Sequence, residues 1–390
     1  MATPTTSVSD VVGDLESLGI RRVHVLAWRD LDDADAGGSE VHADEVMRRW
    51  AAAGLDVVHR TSAARGLPAT AQRNGYSVVR RGSRYSVFPR TVVAELARRM
   101  GPFDALVEIW NGVPWFSPLW CRRPNITVLH HVHDQMWEQM FPRPIASLCR
   151  VVETKIAPLA YRRTMVVSGS ESTTAHLREL GYRSDRTVVV PYGVAASYSA
   201  GGHRAEHPLV LSVGRLAPVK EHELLIDAAL RAKQRVPELR LVIVGTGPRR
   251  AALEQLISAR DASEWITMRG RVELAELISL YREAWLVASA SRSEGWGLTL
   301  TEAAACGTPA VVTDIAGHRC SVIDGVTGLL APVEELGERI ADVLLDDRLR
   351  ERLGRQALER AGTLSWDSSA VGLLAALRDE ARRRAELKRR

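Results

Sequence analysis

The stretch "WLVASASRSEGWGLTLTEAAACGTPAVVTDI" (285–315) decides how this chain folds. "WLVASAS" is short and apolar, as a buried strand is. Arg292 and Ser293 make a turn, and Gly295 and Gly297 keep Glu294 off any continuous helix. A small-residue helix then begins around Leu298 or Thr299 and ends at Gly307, and "PAVVTDI" is the next strand. Free amides near Gly297, Leu298 and Thr299 face the strand end, where an anion is favoured. Glu294 and Glu302, with seven residues between them, occupy different settings: one in the loop, one a turn into the helix. Carboxylates so differently placed need not do the same job.

The same strand–loop–helix unit recurs outward from this stretch. Towards the C-terminal half's start lie "PLVLSVGRL", a helix from about Lys220, "LRLVIVGTG" and "ITMRGRV". In the N-terminal half, "RRVHVLAW" (21–28) reads as a buried strand, followed by a loop and a helix in which Val41, Val46 and Trp50 share one side. "LDVVHRT", "DALVEIW", "ITVLHHV", "RTMVVSGS" and "RTVVVPYGV" continue the alternation, and "YSVVRRGSRYSVF" (76–88) reads as two short strands around Gly82. "AASYSAGGHRAEHP" (195–208) has no period and is the candidate linker. The chain's 390 residues suit two domains better than one core. The fold class is therefore α/β, with two doubly wound parallel-sheet domains and ligands at the carboxyl ends of the strands.

Hydrophobic residues at 46% and charged residues at 25% describe an ordinary soluble globular protein. The net charge of +5 favours anionic partners without choosing among phosphates, lipid and nucleic acid. Basic residues are scattered and no aromatic-rich RNA motif appears, so nucleic acid is not expected. The tail "RDEARRRAELKRR" (378–390) reads as a solvated last helix, with weak attraction to a membrane surface as the sharper reading. Cys121, Cys149, Cys306 and Cys320 have no CxxC spacing and read as reduced thiols of a cytoplasmic protein. The N-terminus lacks the pattern of a signal peptide, and no apolar run approaches the ~20 residues of a spanning helix.

Further chemistry sits at strand ends. Gly37, Gly38, Ser39 and Glu40 open a helix, either as an anion site or with Ser39 as a plain cap. Arg215 follows Gly214 after a strand, and Lys220 stands five residues on, where the next helix begins. Two cations there would clamp a diphosphate; each pair at ~4 Å gains ~4 kcal/mol at an effective dielectric of ~20, before desolvation. "VGTGP" carries Gly245 and Gly247 in a generic nucleotide-fold turn, with no Walker lysine after it. "VLHHVHDQMW" (128–137) brings His130, His131 and His133 close, but neighbouring strand residues point to opposite faces, which argues against one shared metal ion. Asp33 and Asp35 spell a DxD that suits a divalent ion, or else two solvated loop carboxylates. Trp110, Trp115 and Trp120 would stack on sugars, meet lipid, or simply pack.

Together and in order, these motifs resemble retaining glycosyltransferases of family 4, which have the GT-B fold. The resemblance rests on the E-x7-E spacing of Glu294 and Glu302, the GR-x4-K of Arg215 and Lys220, the GG-x-E loop at 37–40, the GxGP at 245–248, and Trp366 before a final helix. It implies two Rossmann-like domains facing across a deep cleft: 1–195 for the acceptor and 205–366 for the nucleotide-sugar donor. A helix at about 367–390 would return to the first. It implies that Arg215 and Lys220 bind the diphosphate leaving group, that Glu294 contacts the donor sugar and that Glu302 holds the ribose. By the same resemblance, amides at Gly297, Leu298 and Thr299 bind sugar and phosphates, Arg271 and Val272 flank the base, and Gly214, Gly245 and Gly247 belong to the donor site. Gly38 would approach the diphosphate, and His131 or His133 would stand near the reacting carbon. The chain departs from the family at Glu221, where glycine is common, and in its excess of histidines.

The function so implied is transfer of a sugar from a UDP- or GDP-linked donor to a hydroxyl of a sugar, lipid-linked or small-metabolite acceptor. It would proceed with retention and without metal or other cofactor, in the cytoplasm or peripherally at the inner membrane face. The alternatives are a sugar-nucleotide epimerase, which needs no acceptor, or another user of the fold such as a glycoside phosphorylase.

Overall fold

Apolar runs of four to six residues separated by helical segments build two parallel sheets. In this computed structural model, which describes residues 6–389, two compact units emerge: 6–193 with 366–389, and 194–365. The first contains β1 (Arg22–Leu26), β2 (Asp56–Thr61), β3 (Thr70–Arg73), β4 (Tyr76–Arg80), β5 (Ala105–Trp110), β6 (Asn125–Leu129), β7 (Met165–Ser168) and β8 (Thr187–Val189). They lie in the order β3-β4-β2-β1-β5-β6-β7-β8. All pairs are parallel except the edge pair β3–β4. β5, β6 and β7 are buried along their whole length, as parallel strands covered on both faces must be.

The second unit contains β9 (Leu209–Val213), β10 (Arg240–Val244), β11 (Ile266–Gly270), β12 (Leu286–Ser289), β13 (Ala310–Thr313) and β14 (Gly328–Ala331), in the order β11-β10-β9-β12-β13-β14. Every pair in this sheet is parallel. Helices Leu336–Leu345 and His222–Arg235 pack on one face around Leu225, Ile226, Ile340 and Leu344, all buried. The last helix, Trp366–Arg389, belongs to the first unit, where Leu373, Leu374 and Leu377 join the core formed by Val46, Trp50 and Val128.

Several local expectations change. Only the first half of 76–88 is a strand; β3 pairs with β4 through a turn at Asn74 and Gly75, and Val87 and Phe88 open the helix Val87–Leu96. Val41 is exposed, so the buried side of helix Gly38–Ala52 is set by Val46, Met47 and Trp50. The stretch 195–208 is not a free linker. Tyr198 and Ala205 pack on the second core, and Arg204 donates to the carbonyls of Arg282 (3.0 Å) and Gly307 (2.6 Å). Its polar composition hid these anchors.

Candidate functional site

In the second sheet the strand order reverses between β9 and β12, and a doubly wound sheet opens a crevice at such a point. The loops leaving these two strands carry the charged groups. After β9, Gly214 and Arg215 lead to the short turn Pro218–Lys220, and Glu221 adopts a left-handed φ of 47° before the helix His222–Arg235. The departure noted at Glu221 therefore places a side chain where glycine is the easy choice. Its carboxylate pairs with Arg292 from the loop after β12. That ion pair ties the two loops together.

Beside it Lys220 Nζ donates to Glu294 Oε1, and Ser291 Oγ donates to the same oxygen at 2.9 Å. Both members are largely buried, 19% and 15% exposed at the side chain. Burial alone would raise the Glu294 carboxyl; the charge of Lys220, followed by that of His318 and the hydrogen bonds from Lys220 and Ser291, holds it below the ordinary glutamate value. The carboxylate backbone is fixed from behind: a Cβ on Gly317 would stand 2.1 Å from the Glu294 carbonyl oxygen, so only glycine fits. Buried His318 follows, its Nδ1 2.7 Å from the Thr313 carbonyl oxygen.

Gly297 is left-handed at φ 85° and starts the helix Leu298–Ala305, within the expected range. The Leu300 amide is the first to reach a turn carbonyl, that of Gly297, at 3.0 Å. Amides of Gly297, Leu298 and Thr299 have no backbone acceptor outside the helix among the described residues. Glu302 lies on this helix and accepts from the Tyr281 hydroxyl at 2.8 Å. Burial raises its carboxyl, against the opposing hydrogen bonds of Tyr281 and Tyr198. The two glutamates are thus held oppositely, one as an ion beside a lysine and one between phenols.

At β10 the GxGP turn packs on the β9 loop: a Cβ on Gly245 would lie 1.8 Å from the Gly214 carbonyl oxygen. Gly247 crowds the Leu216 carbonyl in the same way, at 2.5 Å. Arg215 is exposed and its guanidinium makes no hydrogen bond or ion pair among the described residues. Arg271, also exposed, and Val272, packed on the core below, follow β11. The described geometry therefore brings Gly214, Lys220, Gly245, Gly247 and Glu294 together around the β9 and β12 loops. It adds Ser291, Gly317, His318, Tyr281 and Tyr198, which the sequence did not single out. Of these only Ser291 lay within the stretch read first.

The first sheet reverses between β1 and β5. Here the helix begins at Gly38, and Glu40 Oε2 accepts from the Gly37 amide at 2.7 Å. Arg29 holds the other Glu40 oxygen at 3.2 Å, and Ser39 Oγ accepts from Asn111 at 2.9 Å rather than capping. The three histidines after β6 diverge. His130 bonds Tyr192 and faces His42, deep in the unit. His131 stacks on His133 at 4.4 Å, and His133 Nδ1 lies 3.5 Å from Glu153. His131 alone of the three has neither a hydrogen-bond partner nor an acidic neighbour for its buried ring nitrogens among the described residues. Burial, then the neighbouring His133, pushes its pKa down to about 3, so it is neutral.

Asp33 and Asp35 turn to Arg84, and Asp30 and Asp32 to Arg73 and Arg80, so these carboxylates are already matched by arginines. The tryptophans pack: Trp110 and Trp115 are buried and donate to the carbonyls of Gly112 (2.7 Å) and Ile109 (3.2 Å), and Trp120 donates to Trp115 at 3.0 Å. Trp110 and Trp115 therefore offer no open face to a sugar.

Comparison with known proteins gives one consistent result. The model described as Glycosyltransferase Family 4 matches residues 36–198, and that described as Glycosyl transferases group 1 matches 198–360. A D-inositol 3-phosphate glycosyltransferase of Kribbella flavida is 30% identical over 88% of this chain and 91% of its own. That of Nocardia farcinica is 29% identical over 92% and 88%. Among solved structures, sucrose-phosphate synthase of Thermosynechococcus elongatus superposes with a TM-score of 0.79 at 21% identity, covering 92% of this chain and 98% of that one. An Anabaena protein solved in complex with UDP-glucose does so with 0.69 at 18% identity, covering 94% and 99%.

Proposed function

The chain belongs to glycosyltransferase family 4 and has the GT-B fold, and we propose that it moves a hexosyl group from a nucleotide-diphosphate sugar to a hydroxyl acceptor with retention. The observation that carries this reading is the Lys220–Glu294 pair at the crossover of the second sheet, with exposed Arg215 beside it. Lys220 and Arg215 meet the diphosphate, Glu294 a sugar hydroxyl, and Glu302 the ribose. The amides at Gly297, Leu298 and Thr299 add partial positive charge where the leaving group gains negative charge. Arg271 and Val272 flank the base. The acceptor belongs to the first unit, at the loops after β1, β5 and β6, with Gly38 there and neutral His131, rather than His133, as the hydrogen-bonding histidine.

In the step itself the anomeric carbon–oxygen bond to the diphosphate breaks and the acceptor oxygen bonds to the same face. The acceptor proton passes to the departing phosphate oxygen. Glu294 forms no covalent bond. A glycosidase-type pair would need a second acid ~5–5.5 Å away, and Glu302 is committed to Tyr281 and Tyr198. No divalent ion is required, since the cations already supply the charge and Asp33 and Asp35 are paired with Arg84. The relatives' names add D-inositol 3-phosphate as the first acceptor to try.

A thermal-shift panel of UDP- and GDP-sugars tests the donor site. A donor at 100 times its dissociation constant adds ~2.7 kcal/mol of stability. The wild type is expected to respond to one donor and Lys220→Ala to lose that response; equal responses would contradict the assignment. Product formation without acceptor would identify an epimerase instead. Transfer abolished by EDTA and restored by Mn²⁺ would contradict the metal-free reading.

A further inference from the structure

Between β6 and β7 the chain runs as helix Arg143–Val151, a π turn Val152–Ile156 and helix Ala157–Tyr161. Ala146, Glu153, Ala157 and Tyr161 point inward and are buried. Among the exposed residues of this segment five are apolar: Ile145, Leu148, Val151, Ile156 and Leu159 are 49%, 62%, 47%, 47% and 71% exposed. Scattered exposed leucines are ordinary, but five on one segment form a patch. Their steps are three, three, five and three residues, and the π turn, which closes its hydrogen bond one residue later, absorbs the wide step.

The surroundings are basic. Residues 143–163 contain Arg143, Arg150, Lys155, Arg162 and Arg163 and a single acid, Glu153, which is buried and accepts from Trp137 at 2.8 Å. Arg150 faces Glu138 at 3.9 Å, while Arg143, Lys155, Arg162 and Arg163 are exposed without an ion pair among the described residues. A hollow beside Leu159 is lined by Arg122, Arg162, Arg163 and Lys388, with Leu387 58% exposed at its edge. Exposed Glu386 is the nearby acid in sequence. Elsewhere on the final helix Arg378 and Arg382 share Asp14, Arg383 and Arg384 share Glu380, and Arg389 is exposed.

We infer that this face of the first unit, the apolar row 145–159 with its rim of Arg122, Arg143, Lys155, Arg162, Arg163 and Lys388, docks on an anionic lipid bilayer. An apolar row flanked by lysine and arginine sinks to the headgroup–acyl boundary while the cations meet lipid phosphates. A second copy brought to the same face would set these cations against each other. No described helix is long and apolar enough to cross a membrane, so the contact is one of surface. It places transfer beside a bilayer whichever acceptor is used.

The test is flotation of the full chain with phosphatidylcholine vesicles, with and without phosphatidylglycerol. Binding is expected only with phosphatidylglycerol, and to weaken as salt rises. Leu148→Ser/Leu159→Ser and Arg162→Ala/Arg163→Ala should each lower partitioning about tenfold. Both should keep the wild-type melting temperature, because the side chains are exposed. Absence of binding to anionic vesicles, or equal binding by wild type and both variants, would overturn the inference. So would a concentration-dependent dimer that Leu148→Ser/Leu159→Ser abolishes, which would give the face to a second copy.

Discussion

Lys220 and Glu294 show what a buried ion pair asks of its neighbours. Each is largely removed from water, so deleting one leaves the other uncompensated, at a cost of ~3–5 kcal/mol when burial is complete and less here. Lys220→Met and Glu294→Gln should each lower stability by about 1–3 kcal/mol, and the double variant by less than their sum. Chemical denaturation of the four proteins measures this; strict additivity would mean the pair is not coupled. The sign with pH follows from the depressed Glu294 value. The pair's contribution is present above the unfolded glutamate pKa and is lost as pH falls through the lower folded one. In Lys220→Met, burial acts with its main opponent gone, so this loss on acidification should be smaller than in the wild type.

Glu294 was legible because glycines stand on either side of its tryptophan and a strand precedes it. Ser291 and His318 were not, because nothing in their local spacing reports that one donates to this carboxylate and the other acts on it through its charge. Tyr198 was hidden more completely: it lies in a stretch with no period, and its partner Glu302 is about a hundred residues away. The three histidines could not be separated by sequence, because only the packing of Tyr192 and Glu153 divides them.

At the scale of elements, glycine positions carry the loops. Gly317→Ala would drive a methyl into the Glu294 backbone and should weaken donor binding with little loss of secondary structure. Calorimetric donor titration and circular dichroism distinguish this from unfolding; undiminished affinity would remove Gly317 from the site's support. β2 supplies a pH-sensitive core position. His59 is fully buried beside Arg60, Arg73 and Arg80, with Asp30 as the opposing charge, and burial first and those arginines next bring its pKa down to about 4. The unfolded chain then binds the extra proton, so stability falls as pH drops from the ordinary histidine range towards about 4. His59→Leu should flatten that part of the melting-temperature profile; an unchanged slope would assign it to other groups. The strand alternation that built both sheets was readable out to the edge strands β8 and β11, whereas the edge strands β3 and β14 were not read. β3 is largely polar and partly exposed, so it lacks the apolar run that marked the central strands.

Across the whole molecule, the last helix is part of the first unit's core although it follows the second in sequence. Leu374 is fully buried there, and Leu374→Ala should cost about 2–5 kcal/mol. Limited proteolysis should show the added cleavage in the first unit and not in 194–365. Added cleavage confined to 194–365 would contradict that assignment. The two-domain plan was legible because each half restarts the same alternation. The passage between units was less so, since 195–208 looks like linker and is anchored structure.

Retaining transfer from a nucleotide sugar held by Lys220 and Glu294 is the proposal on which the assigned roles depend. Its most direct test is the anomeric proton signal of the product formed from the donor selected by thermal shift and D-inositol 3-phosphate or another hydroxyl acceptor. A product with the donor's anomeric configuration is expected from the wild type, with a severe loss of that product in Lys220→Ala and Glu294→Ala. A product of inverted configuration, or full transfer by both variants, would contradict it.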